Sequence, residues 1–165
     1  MGVDAAPDRA AEARARSGAV VHAGTLDDLP GDERFDVVRL NQLLEHVPSP
    51  RALLAAARAR LTPGGAVHLA TPNLDALAHR VLGARWRQLG REDNGHLVLV
   101  GPAHVRRYAD EVGLRVVRLR TRGARAWSLG AGSRAARRAW RLIEQGLEPW
   151  ARLARRGGVL EAVLV

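Results

Sequence analysis

Between Phe35 and Asn73 the chain reads FDVVRLNQLLEHVPSPRALLAAARARLTPGGAVHLATPN, and the order of its parts leaves few folds open. Phe35 to Leu40 is a strand, apolar enough to be covered on both faces at its middle. Ser49-Pro50 starts a helix: a Ser side chain caps the free amides, and a Pro fits the first turn. Leu53, Leu54, Ala57 and Leu61 then recur at helical spacing. Pro63-Gly64-Gly65 stops that helix and turns the chain, and Ala66 to Thr71 is the next strand. Strand, helix and strand in this order make the repeating unit of an α/β sandwich with a largely parallel sheet.

The flanks extend the alternation. Gly2-Val3-Asp4 reads as the end of a strand. An Ala- and Arg-rich helix follows, with Pro7 in its first turn and Gly18 at its C-terminal cap. Ala19 to His22 is a short strand, and Gly24 to Glu33 a loop. Asn73 to Gly83 is expected to be helical, with Leu74, Leu77, Ala78 and Val81 on one face, and 85–94 irregular. Val105, Tyr108, Ala109 and Val112 fit a helix closed by Gly113, before a strand over Leu114–Leu119. Ser133 opens a long helical pattern that Pro149 should break or kink, and Val159 to Val165 is the last strand. The chain reads as one domain over 1–165, with 123–158 a helical insertion or lid between the last two strands.

Composition narrows the chemistry. With no cysteine, disulfides and thiolate metal sites are excluded. The formal charge is +9 and every basic residue other than His is Arg, which suits pairing with carboxylate or phosphate and equally follows from GC-rich coding. The basic residues are scattered and not interleaved with aromatic platforms, so no nucleic-acid partner is expected. No apolar run approaches the ~20 residues of a spanning helix, and MGVDAAPD lacks the parts of a signal peptide; the expectation is a soluble, cytoplasmic protein.

The phrases Leu44-Glu45-His46-Val47, Pro63-Gly64-Gly65 and Thr71-Pro72-Asn73, in order and at fitting distances, resemble the middle of a class I S-adenosylmethionine-dependent methyltransferase of the quinone O-methyltransferase type. The resemblance spans roughly Gly2 to Leu119 and the final strand. It implies a Rossmann-like doubly wound fold, a mostly parallel sheet with an antiparallel last strand, and S-adenosylmethionine as cofactor. It also implies a small-molecule or lipidic acceptor, methylated at oxygen. In that family a first strand and a Gly-x-Gly-x-Gly loop precede the position matched by Gly2-Val3-Asp4. That strand lies between those ending here at Asp4 and beginning at Phe35. The gap must be closed by direct pairing, by another chain or by residues outside this sequence, because unpaired buried backbone is costly. The expectation is an N-terminally incomplete methyltransferase domain. The alternatives are a degenerate relative acting as a membrane-surface or interaction module, and a domain completed by a partner.

The resemblance assigns roles residue by residue. Asp4 falls where a carboxylate takes the ribose hydroxyls; alternatively it caps the following helix. Thr25 and Leu26 fall where the loop flanks the adenine, and Leu26 is otherwise an ordinary loop residue. Asn41, directly after a strand, lines the cofactor or simply ends the strand. Glu45 and His46 lie beside the methyl donor, as base or as supports of the loop. Some relatives hold a metal there with two Glu and this His; Gln42 stands in place of the first Glu, and no metal is expected. His96 falls on the substrate side, able to take a proton from a hydroxyl, or is an exposed loop histidine. Trp86 is a candidate wall for an aromatic or lipidic acceptor. The stretch 133–156, with Trp140 and Trp150 on an apolar stripe and Arg on other faces, is a candidate for peripheral contact with an anionic membrane, or a lid.

Overall fold

A computed structural model of the 165-residue chain describes residues 1–83, 86, 95–123 and 145–165. Strand β1 (Gly2–Asp4) leads into helix α1 (Pro7–Ser17), with Pro7 in the first turn and Gly18 left-handed at the C-cap. Strand β2 (Val21–Ala23) returns parallel to β1, pairing Asp4 with Ala23. Strand β3 (Phe35–Asn41), a 3-10 turn (Leu44–His46), helix α2 (Pro50–Ala59) and strand β4 (Leu61–Pro72) form the unit legible in the sequence. The Ser49 hydroxyl accepts from the Ala52 amide at 3.2 Å, the expected cap. Helix α3 spans Leu77–Leu82 and α4 Pro102–Glu111; residues 145–153, labelled α5, are helical. Strands β5 (Val116–Arg122) and β6 (Val159–Leu164) complete the chain.

The strands form two sheets. β1 and β2 are a parallel pair, and β3-β4-β6-β5 a second sheet in which only β3 and β4 are parallel. Among the described residues no strand of one sheet pairs with a strand of the other. Direct pairing of β1 with β3 is therefore not how the interval between them is closed. The core lies on one face of the larger sheet. Val38, Leu40, Val67, Leu69, Leu160, Ala162 and Leu164 meet Leu54 and Ala57 of α2 and Val105 and Ala109 of α4. Leu26 packs onto this core, and the Arg60 guanidinium donates to the carbonyls of Leu29 and Gly31, tying the β2–β3 loop to the main body.

Several expectations are corrected. β3 is not covered on both faces: Val38 and Leu40 are buried, while Val37 on the opposite face is 61% exposed. Pro63-Gly64-Gly65 does not separate α2 from β4 but lies inside β4 as a bulge, four residues of β4 opposing Asp36. Gly65 is needed there, because a Cβ would sit 3.0 Å from the carbonyl oxygens of Phe35 and Thr62. α3 starts four residues late, since Asn73 makes a bridge to Val100 and its carboxamide oxygen accepts the Asp75 amide; Val81 is 66% exposed. α5 continues through Pro149 rather than breaking there. Most of 85–94 and the Ser133 end of the long helix, with Trp140, lie outside the described residues.

Candidate active site

Asp4 and Asn41 each end a strand of a parallel pair, in two different sheets, and the carboxyl end of such a strand is where an open α/β sheet binds its ligands. Asp4 ends β1 beside the end of β2, and Gly24 donates its amide to the Asp4 carbonyl at 2.9 Å. Thr25 and Leu26 follow at once, so the three sit at one end of the smaller sheet. Asp4 uses Oδ1 to accept from the Ala6 amide (2.9 Å) and from Arg9 Nε (3.3 Å). It thus braces the start of α1 with one oxygen, and among the described residues Oδ2 accepts no hydrogen bond. Thr25 is exposed, and its amide and hydroxyl both donate to Asp28 at 2.8 Å. The Thr25 amide, and then its hydroxyl, hold the Asp28 carboxyl below the usual carboxylate range. Leu26 is half-buried, one side on the core.

Asn41 ends β3 opposite Ala70 of β4 and is exposed. The next residue, Gln42, is in the left-handed region (φ 50°), and its amide donates to the Ala70 carbonyl at 2.7 Å. That reversal throws the chain into the 3-10 turn carrying Glu45 and His46. Leu44 and Glu45 point inward; His46 stays exposed. The Thr71 hydroxyl on β4 donates to Glu45 Oε2 at 2.9 Å, with both residues buried. The Glu45 carbonyl accepts the amides of Leu97 (2.7 Å) and Val98 (3.2 Å), which brings His96 back over the turn. The His46 and His96 rings meet edge to face, centroids 4.9 Å apart.

Glu45, His46 and His96, 51 residues apart in the chain at their extremes, therefore form one cluster, each offering a ligand atom within 4.8 Å of the others. Glu45 Oε1 is buried with no hydrogen-bond partner. His46 Nδ1 lies 3.2 Å from the Gly95 carbonyl oxygen. A carbonyl only accepts, so this contact places the proton on Nδ1 and leaves a lone pair on Nε2. One carboxylate and two imidazoles are a donor set of the kind that holds a divalent transition metal. The same set can move a proton without one.

Sequence reasoning missed two residues. Thr71 and Asn73 read as strand end and corner, yet Thr71 holds Glu45. Asn73, fully buried, donates from Nδ2 to the carbonyls of Gly157 (2.8 Å) and Arg155 (3.2 Å), clamping the end of β4 to the run entering β6. A buried polar pair at a strand end was the only signal, and burial is not visible in one sequence. Trp86 is 2% exposed, stacked on His79 and packed on Ala76 and Ala78; the indole fills a small core instead of walling an open pocket.

The two sheets and their crossover helices make the Rossmann-like α/β arrangement found in class I methyltransferases. The chain belongs to the family described as "Methyltransferase domain", which it matches over residues 1–119. It is 36% identical over 94 residues to a ubiquinone biosynthesis O-methyltransferase of Thiobacillus denitrificans, covering 54% of this chain and 40% of that one. The corresponding enzyme of Methylococcus capsulatus is 35% identical over 92 residues, covering 53% and 38%. The matched region thus spans about two fifths of the length of these curated relatives. Among solved structures, an S-adenosylmethionine-dependent methyltransferase of Thermotoga maritima superposes with a TM-score of 0.66 at 16% identity, covering 99% of this chain and 71% of that one. One from Mesorhizobium loti gives 0.63 at 17%, covering 99% and 78%. The DhpI–SAM–HEP complex gives 0.57 at 17%, covering 99% and 66%. These neighbours share the fold. No described helix is long and apolar enough to cross a membrane.

Proposed function

We propose that the domain transfers a methyl group from S-adenosylmethionine to the oxygen of a small-molecule acceptor. The methyltransferase-domain match over 1–119 carries this reading, and the placement of Asp4 and Asn41 at strand ends supports it. The donor groups fit the cofactor: Asp4 Oδ2 is uncommitted, as a ribose hydroxyl requires, and Leu26 offers an apolar edge for a base. S-adenosylmethionine, when bound, supplies a methyl made electrophilic by its sulfonium. What remains for the protein is placement and removal of one proton. His46 takes the acceptor's hydroxyl proton on Nε2, its Nδ1–H held by the Gly95 carbonyl. Buried Glu45 fixes the turn, and His96 closes the acceptor side. Oxygen as the acceptor atom follows the ubiquinone-biosynthesis relatives. Nothing in the comparisons favours the alternative of a non-catalytic membrane or interaction module.

Calorimetric titration with S-adenosylhomocysteine tests the cofactor half. Binding is expected, and Asp4→Ala weakens it at least about tenfold, the loss of a charge-assisted pair to ribose. The catalytic half is tested with labelled S-adenosylmethionine and a panel of phenolic acceptors. His46→Ala lowers turnover by about 10²–10⁴ and leaves S-adenosylhomocysteine affinity unchanged. Full binding by Asp4→Ala, or full turnover by His46→Ala, would remove the respective assignment.

A further inference from the structure

We infer that Thr71 is a positioning residue for the candidate base: acting through Glu45, its hydroxyl sets the pairing of His46 with His96. The inference rests on the proposed methyltransferase reading for its purpose, but on the geometry alone for its substance. Thr71 lies on β4, is fully buried, and spends its hydroxyl proton on Glu45 Oε2 at 2.9 Å. Glu45 is 1% exposed and its other oxygen has no partner, so that hydroxyl is the side-chain donor that orients the carboxylate. The same residue's carbonyl takes the Leu97 and Val98 amides, and the neighbouring His46 takes the Gly95 carbonyl. Glu45 therefore links a sheet strand, the 3-10 turn and the 95–98 segment. That link, together with the His46–Gly95 contact, holds both segments where the two imidazoles meet.

Removing the hydroxyl leaves a buried carboxylate with neither oxygen paired. Such a group rotates, draws in water or moves toward the surface. Any of these shifts the turn that carries His46 relative to the segment that carries His96. A methyl in place of the hydroxyl keeps the volume and loses the donor, so Thr71→Val isolates the hydrogen bond from packing. Thr71→Ser keeps the donor and loses the methyl.

The test is proton NMR of the full chain, reading the cross-relaxation peak between the His46 and His96 ring protons, which centroids 4.9 Å apart should give. Thr71→Val is expected to lose that peak and the slow amide exchange of Leu97, while Thr71→Ser retains both. If Thr71→Val does not fold, Thr71→Ala asks the same question. A hydroxyl-free variant that keeps the peak and merely melts earlier would overturn the inference, showing a packing role only. So would Thr71→Ser failing to restore the peak, or its absence from the wild type. S-adenosylhomocysteine titration of the same samples reports on the methyltransferase reading separately: no binding in the wild type sinks that reading and leaves the Thr71 result standing.

Discussion

Gln42 occupies a backbone conformation that L-residues avoid, at φ 50°, between β3 and the turn that carries the Glu–His pair. A left-handed residue with a Cβ costs about 1–2 kcal/mol, and β-branching adds to it. Chemical denaturation should find Gln42→Gly within about 1 kcal/mol of the wild type, since relief of strain is set against added freedom in the unfolded chain. Gln42→Val should fall by about 1–2 kcal/mol. A Val variant as stable as the Gly variant would show that the reversal does not need this conformation. Glu161 is a second residue whose role only coordinates expose. On β6, with its side chain buried, it meets Arg120 at 2.7 Å and Arg122 at 2.5 Å. Burial pushes its carboxyl up, but the two guanidiniums outweigh that and hold it below the usual carboxylate range. A carboxyl lowered by folding contributes stability above its unfolded value, and that stability is lost as pH falls through its folded value. Glu161→Gln should therefore cost about 1 kcal/mol at neutral pH, the half-exposed arginines being partly screened. The gap to the wild type should close below about pH 4; a gap that stays constant into acid would reject the ion pair as its source.

At the scale of elements, the caps of α1 and the start of α2 were legible because their signals are local. Pro7 and Gly18 bracket α1, and Ser49-Pro50 opens α2, each through groups within four residues of the helix end. What the sequence could not place is the point where two distant backbones touch. Gly157 looks like one of many glycines, yet a Cβ on it would lie 2.6 Å from the Arg122 nitrogen, where β5 meets the approach to β6. Its amide also donates to Thr121, and its carbonyl accepts from Asn73. Gly157→Ala should destabilise by about 3 kcal/mol or more, through forced separation of the strand ends and loss of the Asn73 clamp. A Cβ on Gly146, in α5, would meet nothing within 4 Å among the described residues, and Gly146→Ala should be neutral or stabilising by up to about 1 kcal/mol. Thermal melts of the two alanine variants side by side decide the matter; equal effects would contradict the close approach at 157.

For the whole molecule, the division into two sheets is the feature with the widest consequences. β1 and β2 contribute three residues each and, among the described residues, pair only with one another. A two-strand ribbon that short is not stable alone, and here it is held by Leu26 on the core and by Arg60 on the loop carbonyls. Native-state hydrogen exchange should find amides of 2–4 and 21–23 opening well before those of 67–71, which sit in the centre of the larger sheet. Identical opening energies would mean that the two sheets unfold as one. Residue order alone sufficed for the alternation of strands and helices, the two ends of α1, the start of α2, and the standing of Asp4 and Asn41 at strand ends. Those are properties of neighbours along the chain: periodicity, φ preference and capping all act over a turn or two. Tertiary structure alone decided that His96 returns to His46, that Thr71 rather than a charged group holds Glu45, that Trp86 is core, and that β3 leaves Val37 in the open. Each of these depends on which surfaces meet across the fold, and contact between residues far apart in the chain is settled by burial and packing rather than by local preference.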